Sequence, residues 1–250
     1  MLNLYRKNAE NFALAWIGIY CLMQSLANGL SQMIGIPKSA NALLALVQSA
    51  YMLWWLRKNG LLKEFRLNKP TQSGKNMLFY LPLLAISTSN LWLGVKMNLE
   101  PAALGFHILL MLNVGFLEEL IFRGFLFEAL RKKSLQMAIV VSSLTFGVGH
   151  ILNLFNGSGM SAGAVLFQIV FAVMFGFLVV MVYLRSGSLI PCILTHQMVN
   201  ILSAFANHQA LDRGNTKLWV HLIEAAVMLL YLLVLSRTAP IQNPEPQKKV

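Results

Sequence analysis

Eight runs of mainly apolar residues follow one another along this chain, at about 12–36, 41–56, 77–96, 103–130, 134–151, 162–184, 188–206 and 217–236. Roughly 20 apolar residues in a helix cross the hydrocarbon core of a bilayer. Inside lipid each backbone N–H and C=O must be paired within the segment, which leaves the helix as the structure for such runs. The second run is short and the fourth is long, while Pro82 removes a ladder hydrogen bond where it could shorten the third. The expectation is an all-α polytopic membrane protein of about eight transmembrane helices, a single transmembrane domain over 1–250. Composition agrees: only 12% of the 250 residues are charged, against roughly 25% in soluble domains.

The ends and the cysteines add little chemistry. Arg6 and Lys7 precede the first apolar run as they would in a signal peptide. That run is too long for an h-region and no A-x-A site follows, so it reads as an uncleaved first helix. Residues 237–250 carry Pro240, Pro244 and Pro246 with no apolar run and read as a mobile cytoplasmic tail. Cys21 and Cys192 both lie in apolar stretches and read as small buried hydrophobes, with no disulfide framework and no CxxC metal spacing.

The net charge of +11 would suggest nucleic acid on a soluble protein, but the basic residues here stand between apolar runs rather than on one patch. With the N-terminus inside and the helices alternating, fifteen basic residues fall on inside segments. Four (Lys38, Lys96, Arg213 and Lys217) fall outside. That asymmetry fits an even number of helices with both termini cytoplasmic, in a membrane read as bacterial.

Polar residues at bilayer depth are costly and tend to face a partner or a wet cavity. In the fourth run, Glu118, Glu119 and Arg123 interrupt an apolar helix; Glu119 and Arg123 stand four apart on one face and can pair. Glu118 is turned about 100° away and can point elsewhere. The fifth run carries Phe146-xxx-His150 and the seventh His196-xxx-Asn200, again at one-turn spacing, with Pro191 expected to loosen the helix before the histidine. Counted from Arg131, Lys133 and Arg185 at a rise of about 1.5 Å per residue, Glu118 lies roughly 20 Å deep, His150 roughly 25 Å, and His196 and Asn200 roughly 17 and 22 Å. Three helices thus place a carboxylate, two imidazoles and an amide at one level. His107, His208, His221, Glu224 and Glu128 lack such company and read as ordinary residues.

The chemistry that suits this set is hydrolysis by an activated water. Glu118 can take a proton from a water that a histidine orients, and His196 with Asn200 can donate to the oxyanion of an attacked amide. Alternatively Glu118, His150 and His196 could hold a divalent metal such as zinc, although no H-E-x-x-H is present. No serine or cysteine stands out as a nucleophile.

Glu118-Glu119-xxx-Arg123, Phe146-xxx-His150 and His196-xxx-Asn200, in that order, resemble the three motifs of the CPBP intramembrane proteases. These comprise CAAX-processing endopeptidases and bacteriocin-processing or immunity proteins, also called the Abi family. The resemblance implies a catalytic core over 103–206 with a conical intramembrane cavity. In it Glu118 and His150 activate the water, His196 and Asn200 bind the oxyanion, and Glu119 with Arg123 supports the site. It implies a membrane-embedded or lipidated peptide or protein tail as substrate. Two other readings remain: a non-catalytic bacteriocin immunity protein of the same fold, and a proton-coupled transporter, which would show matching halves and broken helices.

Overall fold

The computed structural model describes residues 1–70, 80–156 and 159–238. The predicted tail therefore lies outside the described residues from 239 on, as do positions 77–79 of the third run and Gly157 and Ser158 between the fifth and sixth. Every one of the eight apolar runs contributes a helix. After a short α1 (Leu2–Lys7) come α2 (Ala9–Ile34), α3 (Ser39–Lys58), α4 (Leu81–Ser87) and α5 (Pro101–Glu119). The fourth run continues beyond α5 as a π-helix over Leu120–Phe127 and a last turn α6 (Glu128–Arg131). Then follow α7 (Leu135–Val148) with a 3-10 extension Gly149–Leu154, α8 (Ala162–Ser186), α9 (Ile190–Leu202), α10 (His208–Leu211) and α11 (Thr216–Thr238). Among the described residues five helical stretches are long and apolar enough to cross a membrane: Ala9–Ile34, Pro101–Arg131, Leu135–Leu154, Ala162–Ser186 and Thr216–Arg237.

Two of the predicted spans come out shorter. The third is reduced among the described residues to the seven residues of α4, with Pro82 in its first turn, and a 3-10 turn Ser89–Leu91. In α9, Pro191 opens the helix rather than loosening it, because a first-turn residue has no intrahelical N–H bond to lose. Helix α3 has the length to span at 20 residues but carries Asn41, Gln48 and Ser49 on its buried face.

Local signals set the ends. Asn8, Ser134 and Ser161 cap α2, α7 and α8, each accepting from the backbone N–H three residues on. Gly35 (φ 78°) and Gly187 (φ 64°) close α2 and α8 in the left-handed conformation that glycine adopts without strain.

The outer faces, unlike those of a soluble domain, are apolar around an apolar core. Large apolar side chains such as Leu22, Leu26, Met33, Leu166, Leu230 and Leu233 are exposed on the outer faces, an apolar surface that lipid, not water, accepts. Polar side chains including His107, Asn113, Glu119, Arg123, Ser142 and Ser143 are buried between helices. Helices α7 and α8 approach closely where Ser143 and Gly147 meet Gly176 and Val173. A Cβ on Gly147 would stand 2.7 Å from the Val173 backbone nitrogen. Small residues at such crossings let backbones approach within contact where no hydrophobic force drives association.

One end of the bundle is charged and aromatic. Lys133 pairs with Glu10 (2.6 Å), Glu128 with Arg66 (3.6 Å) and Arg131 (3.4 Å), and Tyr5 donates to Glu64. Tyr5, Phe12, Trp55, Phe65 and Phe125 pack edge to face just within it, as expected where a helix bundle meets the headgroups. Basic residues from two separated stretches of the sequence, Arg66 and Arg131 with Lys133, thus gather at one face.

Candidate active site

A cavity of about 450 Å³ lies among α2, α5, α7, α8 and α9, and Glu118, His150, His196 and Asn200 all line it. The three motifs, which sequence depth alone put at one level, therefore share one space. Tyr20, Gln24, Lys38, His107, Asn153 and Gln168 contribute further polar wall.

The two glutamates do different things. Glu119 is fully buried; its Oε1 accepts from Arg123 Nη1 at 3.2 Å and from His196 Nδ1 at 2.9 Å. Arg123, equally buried, donates through Nη2 to the Gly176 carbonyl (3.3 Å) and lies 4.3 Å above the Phe146 ring. The phenylalanine of the second motif thus covers a cation, an attraction strengthened where water is excluded. Glu118, one residue earlier, faces the cavity. Its Oε1 accepts from the Tyr20 hydroxyl at 2.7 Å, and its Oε2 stands 3.7 Å from His196 Nε2. That distance exceeds a hydrogen bond, so both atoms remain turned to the cavity.

His196 is clamped between the carboxylates and between two rings, Phe146 and Phe175, each with its centroid 5.6 Å away. An ionised carboxylate only accepts, so Nδ1 carries the proton and Nε2 is the atom offered to a ligand. His150 lies on the 3-10 extension of α7 with its ring 5.8 Å from Phe146, close enough to Glu118 and His196 to interact with both. No hydrogen bond holds its ring nitrogens among the described residues. The Asn200 backbone carbonyl accepts from His107 Nε2 at 3.1 Å.

Two wall residues escaped the sequence reading. Tyr20, from a helix 98 residues upstream, holds Glu118. His107, read as ordinary because no second polar group stands at its spacing, is 2% exposed and joined to Lys38 and Asn200. Its partners come from other elements, where no periodicity could reveal them. Glu128, His221 and Glu224 stay away from the cavity, the last two paired with each other at 3.1 Å.

The metal alternative fits poorly. Among the described residues no three His, Cys, Asp or Glu side chains are grouped to hold an ion. One oxygen of Glu118 is engaged by Tyr20 and one nitrogen of His196 by Glu119.

Fold and site together define a polytopic membrane protein with paired carboxylates and imidazoles around a lipid-embedded cavity. Residues 100–202 match the family model of the type II CAAX prenyl endopeptidase Rce1-like proteins. That segment holds all three motifs, and its match supports a CPBP/CAAX-type intramembrane protease family. No curated protein and no solved structure matches the chain.

Proposed function

We propose that the chain hydrolyses a peptide bond of a membrane-embedded or lipid-anchored peptide or protein tail, with Glu118 as general base. The observation that carries this reading is that Glu118 presents a carboxylate to the cavity 3.7 Å from His196 Nε2 while Glu119 neutralises Arg123. A fold needing only charge neutralisation would stop at one glutamate.

In the reaction, a water held by Glu118 and His150 loses a proton to Glu118 as its oxygen attacks the scissile carbonyl carbon. The carbonyl π-electrons move to oxygen, and the resulting oxyanion is met by donors from Asn200 and His196. For His196 that requires a proton on Nε2 as well as Nδ1, an imidazolium flanked by two carboxylates. Collapse of the tetrahedral intermediate breaks the C–N bond. Glu118 passes its proton to the departing amine, leaving a new carboxylate and a new amino terminus. Tyr20 fixes the carboxylate that performs both transfers. No step runs through a metal.

The matched family is described as CAAX prenyl endopeptidases, which supports a prenylated substrate; a bacterial peptide is the alternative. The excess of basic residues on the segments predicted to be inside supports both termini on the cytoplasmic side. The test is mass spectrometry of peptides released or retained by cells carrying the native chain or Glu118→Ala. A product found only with the native chain supports hydrolysis and identifies the substrate. Identical peptide pools, with the cellular phenotype intact in Glu118→Ala, would favour a binding role such as immunity.

A further inference from the structure

The cavity holds a cation for which the hydrolytic scheme has no use. Lys38 reaches in from the loop between α2 and α3, and its Nζ lies 2.6 Å from His107 Nδ1. The direction of this pair is fixed by its neighbour. A carbonyl can only accept, so His107 Nε2 carries the ring proton to Asn200, and Nδ1 must accept from the ammonium. One of the three ammonium N–H groups is thereby used. Lys38 makes no ion pair among the described residues. Burial pulls its pKa below the usual lysine range, with no acidic neighbour opposing. A half-buried ammonium at the edge of a membrane, propped by a neutral imidazole and facing a cavity, is a site awaiting an anion.

The spacing suits the end of a peptide chain. His107 and Glu118 are both on α5, eleven residues and about 16 Å apart along its axis. An extended peptide covers that distance in about five residues. Gln168, whose side-chain oxygen accepts from Asn153 at 2.8 Å, puts an amide on the wall of the kind that matches peptide groups.

We infer that Lys38, held by His107, binds the C-terminal carboxylate of the peptide cut at Glu118, so that the cavity measures its substrate from the free end. This rests on the proteolytic reading proposed above, and the test keeps the two separable. The full chain is placed in phosphatidylcholine nanodiscs with a fluorescent, isoprenoid-anchored peptide made once as the free acid and once as the C-terminal amide. Binding is read on Glu118→Gln, which removes the base, and cleavage on the native chain.

The acid should bind about tenfold tighter than the amide, the worth of one charge-assisted hydrogen bond. Lys38→Met should erase that preference and Lys38→Arg should keep it, which separates a lost charge from a lost fold. Equal binding of the two peptides, failure of both to bind, or a preference that survives Lys38→Met overturns the inference. So does a preference that vanishes when phosphatidylglycerol replaces phosphatidylcholine, which would assign Lys38 to a lipid headgroup. Acid-selective binding without any cleavage by the native chain would sink the protease reading and leave the carboxylate subsite standing.

Discussion

Two polar clusters lie between the helices of this protein, and they are built differently. Between α2 and α3 the groups are neutral: Asn41 donates to the Gln24 carbonyl at 2.9 Å and to its side-chain oxygen at 3.2 Å, and Ser31 donates to Asn41 at 3.0 Å. These amides and hydroxyls satisfy one another, and the contact closes. Between α5, α7, α8 and α9 the groups are ionisable, and their bonding is incomplete. Glu119 Oε2 and Arg123 Nε are buried without a partner among the described residues, and Glu118 Oε2 is turned to a cavity. Neutral polar pairs in a membrane act as interhelical glue worth about 0.6 kcal/mol each on average. A charge cluster left partly open costs stability, so its retention argues for chemistry. Burial of polar groups alone therefore says little; what matters is whether the groups finish their bonding with each other.

The contrast can be broken at several points. The largest effect is expected for Glu118→Ala, which should lower peptide cleavage about a thousandfold while leaving unfolding in detergent nearly unchanged. A matching loss of stability would make Glu118 a structural residue. Glu119→Ala should do the reverse. It strands a buried guanidinium and should cost about 3–5 kcal/mol in reversible unfolding, much of it recovered when Arg123→Met is added. A double variant no more stable than the single would refute the pairing. Tyr20→Phe removes one donor from Glu118 and should slow cleavage about tenfold, read from kcat with KM nearly constant. The smallest change is expected in the neutral cluster: Asn41→Ala should cost about 1 kcal/mol of stability with cleavage rates as in the native chain. A rate loss there would join the two clusters into one functional unit.

What the sequence disclosed and what it hid follow from the range of the signals. Each of the eight apolar runs marked a helix among the described residues because lipid acts on each segment separately, although five stretches there are long and apolar enough to span. Glu118, His150, His196 and Asn200 could be seen because a polar residue within such a run is conspicuous, and helix rise converts position into depth. Tyr20 and His107 were hidden. A tyrosine or a single histidine in an apolar helix is unremarkable until its partner arrives from another span. The start of α9 at Ile190, with Pro191 in its first turn, depends on how proline meets its local surroundings, which apolar periodicity does not encode. The second role of Glu119, orienting His196 as well as neutralising Arg123, is a contact across 77 residues.

The π-helical stretch Leu120–Phe127 sits directly after the two glutamates and carries Arg123. Its backbone bonds reach five residues back rather than four, so the phase of the side chains slips within the span. A wheel drawn through 101–131 at constant pitch would misplace one end relative to the other. Deleting a single residue there is the one change that reversion to α-winding absorbs with the flanking turns near their present phase, whereas a deletion outside it would swing the upstream carboxylates about 100° against the downstream anchor at Glu128 and Arg131. In this span the number of residues is thus as much a part of the machinery as their identity.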